Sequence, residues 1–377
     1  MSYPVFSSDG HVLEPPDVWT ERIPRQFADR APRLVIGEPA DWWHAEGKRV
    51  VSCAAGAMAG IKHRDEQAWR HRPYEAKFSA VRHGAYQPAA RVADMDADGI
   101  GGEVIYPTVG LALYRLQDPA LTNAVFSAYN SWLAEFCAAA PRRIKGVAML
   151  NLDDVATGVA ELQRSAKAGL AGAMITVNPG ESRGYDQAIY EPLWAAAAEA
   201  AIPLSLHLAT DRPAGAAKSA EPMVSAMSDT PAKLVTRVVW AQDSLARMIY
   251  AGVFQRHPKL TIVIVEHDLA WAAPFLQTMD NDYCHRPWRP GWPRFEGSAI
   301  PSDFFKRNVV VSFQDDALGV RLRDVIGTDS ISWGSDYPHP DSTFPQSKRI
   351  LAQILQGVPE ADAAKIAGGV TARIYHF

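Results

Sequence analysis

Asp9 and His11 close the first apolar segment of the chain, VFSSDGH (5 to 11). A spacing of two puts both side chains on one face of an extended strand. A carboxylate and an imidazole aimed the same way are a donor pair for zinc, manganese or iron. His207 ends a second apolar run, PLSLHL (203 to 208), where an imidazole without a partner is costly to bury. Asp336 follows a third, ISWGSDY (331 to 337), in which Gly334 and Ser335 permit close backbone approach. Each has an ordinary structural explanation when taken singly: D-x-H recurs by chance, a buried histidine can bond to backbone, and an aspartate after a strand often caps a turn. Their agreement is the signal, because four ligand-type residues fall at the ends of the first, fifth and eighth apolar runs in one register.

The sixth run ends VIVEHDLAW and brings Glu266 and His267 to the same level. His267 is the candidate general acid or base, since imidazole titrates near working pH. Three readings stand side by side for Glu266: orienting partner of His267, ligand of a second metal, or structural acid. Glu14, in VLEPPDVW, reads as a structural acid that fixes the turn after the first strand, or as a partner to a ligand. His339, in SDYPHPDS, is a weaker candidate, and His63, His71 and His83 read as solvated.

These residues need a scaffold that ends several strands at one place. Eight short apolar runs, at 5–11, 102–108, 144–151, 172–178, 203–208, 261–267, 309–314 and 331–337, alternate with segments of helical period. The helical segments are Asp118 to Ala140, Asp153 to Ala168, Tyr185 to Ala201, Thr230 to Gln255 and Ser342 to Gln356. Repeated βα units of this kind predict a distorted TIM (β/α)8 barrel, one domain over 1–377. A doubly wound sheet is the other α/β solution, but no Gly-rich phosphate loop follows an early strand. Residues 15–95 stand outside the repeat as a long insertion between strands 1 and 2, read as a lid or substrate wall; within it WWHAEGKRVVSC forms a hairpin, and a loop with a short helix follows. Further insertions run from Asp211 to Asp229 and from 285 to 297, the latter carrying Trp288 and Trp292 for a partner subunit or a substrate.

The formal charge of -4, with no polybasic run, argues against nucleic acid as a partner. No run approaches the roughly 20 apolar residues of a membrane span, and the first residues lack a charged then apolar leader, so a cytoplasmic protein is expected. Cys53, Cys137 and Cys284 are widely spaced and predict reduced, partly buried thiols.

The segments DGHVLEPPDVW, SAYNSWLAEFCAAAPRRIKGVAMLNLDD, GVFQRHPKLTIVIVEH and GSDYPHPDSTFP carry a resemblance that spans the chain. It resembles the amidohydrolase-related group of the amidohydrolase superfamily, which includes aminocarboxymuconate semialdehyde decarboxylase and the resorcylate and carboxyvanillate decarboxylases. The resemblance implies a barrel holding one divalent metal through Asp9, His11, His207 and Asp336, zinc foremost with manganese or iron as alternatives, and puts His267 at the position of the group's strand 6 histidine. Two departures stand out. The first ligand is Asp9 where the decarboxylases have His or Glu, and DLAW replaces the usual glycine-containing continuation after His267. Strand 4 ends at Asn178, without the bridging lysine of two-metal relatives, so a second ion would need Glu266.

Three functions are weighed. The first is hydrolysis of an amide, ester or thioester by metal-activated water, with His267 or Asp336 managing the proton. It is favoured because Asp9 and Glu266 add negative charge beside the cation. The alternative is non-oxidative decarboxylation of an aromatic or unsaturated acid, the cation holding the carboxylate and His267 protonating carbon. The third is a silent barrel that only binds, for which a missing ligand would be the mark; all four are present. The expected partners are a small aromatic or carboxylated substrate and a second copy in a homodimer.

Overall fold

The structure is a computed structural model and describes residues 2–64, 75–212, 231–288 and 294–377. Eight parallel strands carry it: β1 Phe6–Val12, β2 Gly102–Pro107, β3 Ile144–Met149, β4 Gly172–Ile175, β5 Leu204–His207, β6 Ile262–Val265, β7 Val309–Phe313 and β8 Ile331–Trp333. They pair in chain order, each coinciding with one of the eight apolar runs, and form a TIM-like (β/α)8 barrel. Strands covered by helices outside and filled by side chains inside are apolar on both faces. Accordingly every residue of β4, β5, β6, β7 and β8 is buried.

The barrel closes differently from how it propagates. Between β8 and β1 there is no ladder among the described residues, only a parallel bridge at Gly10 and Tyr337. There His11 N donates to Tyr337 O at 2.5 Å and Asp336 N to Asp9 O at 2.9 Å. β1 also shifts register between Ser7 and Gly10.

The outer helices start where acceptors cap them. Asp118 takes the amides of Ala120 and Leu121 at the head of Pro119–Ala138, and Asp154 those of Ala156 and Thr157 at the head of Val155–Lys167. The segment read as one helix from Thr230 to Gln255 is instead Pro231–Thr236, Val238–Tyr250 and Val253–Arg256. Gly252, at φ +71°, breaks the last two apart. The helix expected from Ser342 begins at Ser347, because Pro345 disfavours helical backbone at the residue before it, Phe344.

Within the insertion the hairpin is present as Trp42–Ala45 and Lys48–Ser52, joined by a third antiparallel strand, Arg33–Val35. Trp43 is fully buried edge-on against Trp19, whose Nε1 donates to Val125 O, so this sheet is fastened to the barrel's outer helix. His71, Trp292 and all but the start of the 211–229 insertion lie outside the described residues, while Trp288 is exposed. Cys53 and Cys137 are buried free thiols and Cys284 is an exposed one. Among the described residues no helix is long and apolar enough to cross a membrane.

Candidate metal centre

Asp9, His11, His207 and Asp336 meet at the ends of β1, β5 and β8, all four buried. His11 Nε2 lies 3.3 Å from Asp9 Oδ1 and 3.3 Å from Asp336 Oδ1. His207 Nε2 lies 3.7 Å from Asp9 Oδ1. The other ring nitrogen decides what these contacts are. His11 Nδ1 donates to Pro107 O at 2.8 Å and His207 Nδ1 to Leu208 O at 2.9 Å. A carbonyl can only accept, so each Nδ1 bears a proton, and a ring without a second proton turns its Nε2 lone pair toward the carboxylates.

The centre is therefore a set of acceptors facing acceptors. Both oxygens of Asp9 and the Nε2 atoms of His11 and His207 are buried without a hydrogen-bond partner. Asp336 Oδ1 is 2.8 Å from His339 Nδ1, within ion-pair distance but outside hydrogen-bonding geometry. Buried polar atoms are rarely left unsatisfied, and two imidazole nitrogens with carboxylate oxygens form the donor set a divalent cation takes. His11 and His207, oriented through Nδ1 by backbone carbonyls, are arranged as metal-binding histidines commonly are.

Electrostatics point the same way. Burial, aided by His339, pushes His11 down to about 4, so this ring stays neutral at ordinary pH. His207 is the opposing case: burial works against its charge, but Glu266 and Asp9 raise it above its usual value. Burial raises the Asp336 carboxyl well above the carboxylate range, with His339 pulling it back and Glu266 pushing it further. Such a carboxyl ionises readily only beside a cation.

Glu266 joins this group. Its Oε2 lies 3.6 Å from His207 Nδ1 and its Oε1 3.9 Å from His339 Nδ1; burial raises its carboxyl, yet the charges of His207 and His339 hold it well below its ordinary value. His11, Glu266, Asp336 and His339 thus make a second cluster of ligand-type atoms beside Asp9, His11 and His207. His339 was underweighted by sequence reasoning. It stacks on His11 with ring centroids 4.0 Å apart, and its Nε2 is 2.9 Å from Thr108 Oγ1. Its one sequence signal was its place three residues after Asp336.

His267 is placed differently from the others. It is buried, both its ring nitrogens lack a hydrogen-bond partner, and burial pushes it down to about 3. Glu14 takes the amides of Val109 and Gly110, both at 2.9 Å, through its carboxyl group and so ties the turn after β1 to the segment after β2. His83 is exposed, and His63 is half-buried.

A cavity of about 60 Å³ opens beside the centre, lined by Leu208, Arg237, Glu266, Asp268, Phe313, Gln314, Asp336 and Asp341. Arg237 is the one cation on its wall among the described residues.

Comparison with known proteins agrees with this architecture. A curated γ-resorcylate decarboxylase from Polaromonas sp. (strain JS666 / ATCC BAA-500) is 25% identical over 299 residues, covering 74% of this chain and 84% of that protein. An amidohydrolase structure from Mycobacterium avium subsp. paratuberculosis K-10 superposes with a TM-score of 0.76 at 23% identity, covering 100% of both chains. A dihydroxybenzoic acid decarboxylase structure from Polaromonas sp. JS666, with bound manganese and the inhibitor 2-nitroresorcinol, gives a TM-score of 0.62 at 17% identity over 99% of this chain and 97% of that one. These structural likenesses establish the shared barrel. The family model described as Amidohydrolase matches residues 68–377, most of the chain, and on that match the protein belongs to the amidohydrolase family.

Proposed function

We propose that this chain is a metal-dependent, non-oxidative decarboxylase of an aromatic or unsaturated carboxylic acid. The observation that carries the choice of reaction is the similarity, over 74% of this chain and 84% of the relative, to a curated carboxy-lyase of a hydroxylated benzoic acid. The case for hydrolysis rested on excess negative charge from Asp9 and Glu266. In the structure Glu266 faces His207 and His339, and Arg237 lines the cavity beside it, so an anionic substrate has a counter-ion.

In this reading Asp9, His11, His207 and Asp336 hold the cation, zinc or manganese. When bound, the cation polarises a substrate oxygen and steadies the negative charge that develops as CO2 departs. Arg237 pairs with the substrate's anionic group and orients it across the cavity. The bond from carboxyl carbon to substrate carbon breaks, its electron pair stays on the substrate, and that carbon takes up one proton. His339, which faces both Glu266 and Asp336, would deliver this proton, with the Glu266 carboxylate keeping the ring charged, whereas His267 forms no hydrogen bond to any donor residue. Asp336 holds His339 in place.

The test is direct. Protein loaded with manganese, and separately with zinc, is incubated with 2,6-dihydroxybenzoate, other hydroxylated benzoates, and activated esters and thioesters. Release of CO2 with formation of the decarboxylated phenol is expected. Cleavage of the esters without CO2 from any of the acids would reinstate hydrolysis.

A further inference from the structure

We propose that the buried Arg91–Glu103 ion pair is a positioning device that sets the spacing of the metal donors across the seam where the barrel closes. The inference rests on the metal reading above. Asp9 and His11 stand on β1 and Asp336 follows β8, so the centre straddles the junction that lacks a ladder. What fills that junction is polar and fully enclosed.

Arg91 comes from the helix Pro88–Asp98 at the end of the long insertion, and none of its surface is exposed. Its Nη1 donates to His11 O at 2.6 Å, its Nη2 to Tyr337 O at 3.4 Å, and its Nε to Glu103 Oε2 at 2.7 Å. One guanidinium thus holds the backbone of a donor on β1 and of the residue next to the donor that follows β8. It also lies 4.5 Å over the Tyr337 ring. Glu103, on β2, completes the bracket by accepting from Ser335 Oγ at 2.9 Å, while Ser335 N donates to Ser7 Oγ at 2.9 Å. Gly10 leaves the room this requires: a Cβ there would meet Glu103 Oε1 at 2.4 Å and Arg91 Nη2 at 2.8 Å.

A ladder would fix the strand separation by repeated backbone bonds, each insensitive to side chains. Here, among the described residues, only two backbone bonds cross, His11 N to Tyr337 O and Asp336 N to Asp9 O, and a planar fork with fixed donor geometry supplements them; a buried pair of charges has few alternative arrangements. Partners of this kind, which hold ligands without touching the ion, typically change metal affinity about 10- to 100-fold when removed.

The experiment compares wild type, the double variant Arg91→Met/Glu103→Leu, Ser335→Ala, and Leu162→Ala on the outer helix Val155–Lys167 as a control for general destabilisation. The double variant removes both charges together, so neither is stranded. Manganese and zinc affinities are measured by chelator competition, and amide exchange is followed in the metal-free proteins. The double variant should bind metal about 10- to 100-fold more weakly, with faster exchange in segments 6–12 and 334–343 and unchanged protection in β4 and β5. Ser335→Ala, which should fold in any case, should show a smaller loss at the same segments. Leu162→Ala should lose thermal stability yet keep wild-type metal affinity. Wild-type affinity in the double variant, or in Ser335→Ala if the double variant does not fold, would overturn the proposal. So would a loss no larger than that of a control matched in melting temperature. If wild type itself binds no metal, the metal reading fails, while seam exchange in the metal-free variants still decides whether the pair holds the seam.

Discussion

Replacing Asp9 with Asn should raise the stability of the metal-free protein while shrinking the stabilisation that added metal gives. Without an ion, Asp9 Oδ1 faces the lone pair of the neutral His11 ring at 3.3 Å, and its charge opposes that of Asp336. An amide of the same shape offers an N–H to that lone pair and carries no charge. Satisfying a buried polar group is worth about 1–3 kcal/mol. A chain of 377 residues has an unfolding entropy near 0.8 kcal/mol per degree, so the metal-free variant should melt roughly 1–4 °C higher than wild type. With free metal a thousandfold above its dissociation constant, wild type gains about 4 kcal/mol, or about 5 °C. Asn lacks the negative charge, and its metal-induced gain should fall below about 2 °C. Differential scanning calorimetry at fixed protein concentration, with and without manganese, reads both shifts. A metal-free variant less stable than wild type that still gains the full wild-type shift on adding manganese would show that Asp9 is no ligand and the acceptor-on-acceptor argument mistaken.

Three further outcomes follow from the same geometry. Gly334→Ala should abolish metal retention without removing a ligand, because its Cβ would lie 2.4 Å from Asp9 Cβ and must displace it; elemental analysis after dialysis checks this. Arg237→Met should raise KM for an aromatic acid about 10- to 100-fold, the worth of one charge-assisted hydrogen bond, with a smaller change in kcat; an unchanged KM would remove Arg237 from substrate binding. For metal-free protein, His267 is held neutral to about 3, whereas its unfolded counterpart protonates near 6.5. The folded value is the depressed one, so the stabilisation is present above about pH 6.5 and is lost as pH falls toward 3, at up to roughly 1.4 kcal/mol per pH unit. His267→Phe should flatten that part of the profile in urea titrations between pH 7 and 4, and a profile as steep as wild type would place the acid sensitivity elsewhere.

The strands were legible because parallel barrel strands are buried on both faces, and a run such as Ile262–Val265 has no polar alternative. Asp9, His11, His207 and Asp336 were legible for the complementary reason: each interrupts or follows an apolar run at its carboxyl end. His339 was not, because its place depends on a reversal that no residue pattern announces. Asp336 adopts φ +57° and His339 N bonds back to Asp336 O at 2.9 Å, folding the ring onto His11. Arg91 and Glu103 were invisible for another reason: they stand 12 residues apart on a helix and a strand, and nothing local marks a salt bridge that is formed only when the barrel closes. The third strand, Arg33–Val35, is too short and too exposed to carry a periodic signal.

The backbone around the centre shows why its carboxylates sit where they do. Glu266, Asp268 and Asp336 all take left-handed conformations, at φ +64°, +55° and +57°, just beyond β6 and β8. Glycine would enter that region without a steric cost, and a side chain there costs on the order of 1–3 kcal/mol. Left-handed turns end the strands abruptly and direct the residues at the turn toward the mouth rather than onward along the strand. Were these positions merely turns, glycine would satisfy them better. Carboxylates persist at two of them within reach of His207, His11 and His339. Strain and unsatisfied acceptors coincide at one place, and a bound cation relieves the second while leaving the first as the means of aiming its ligands.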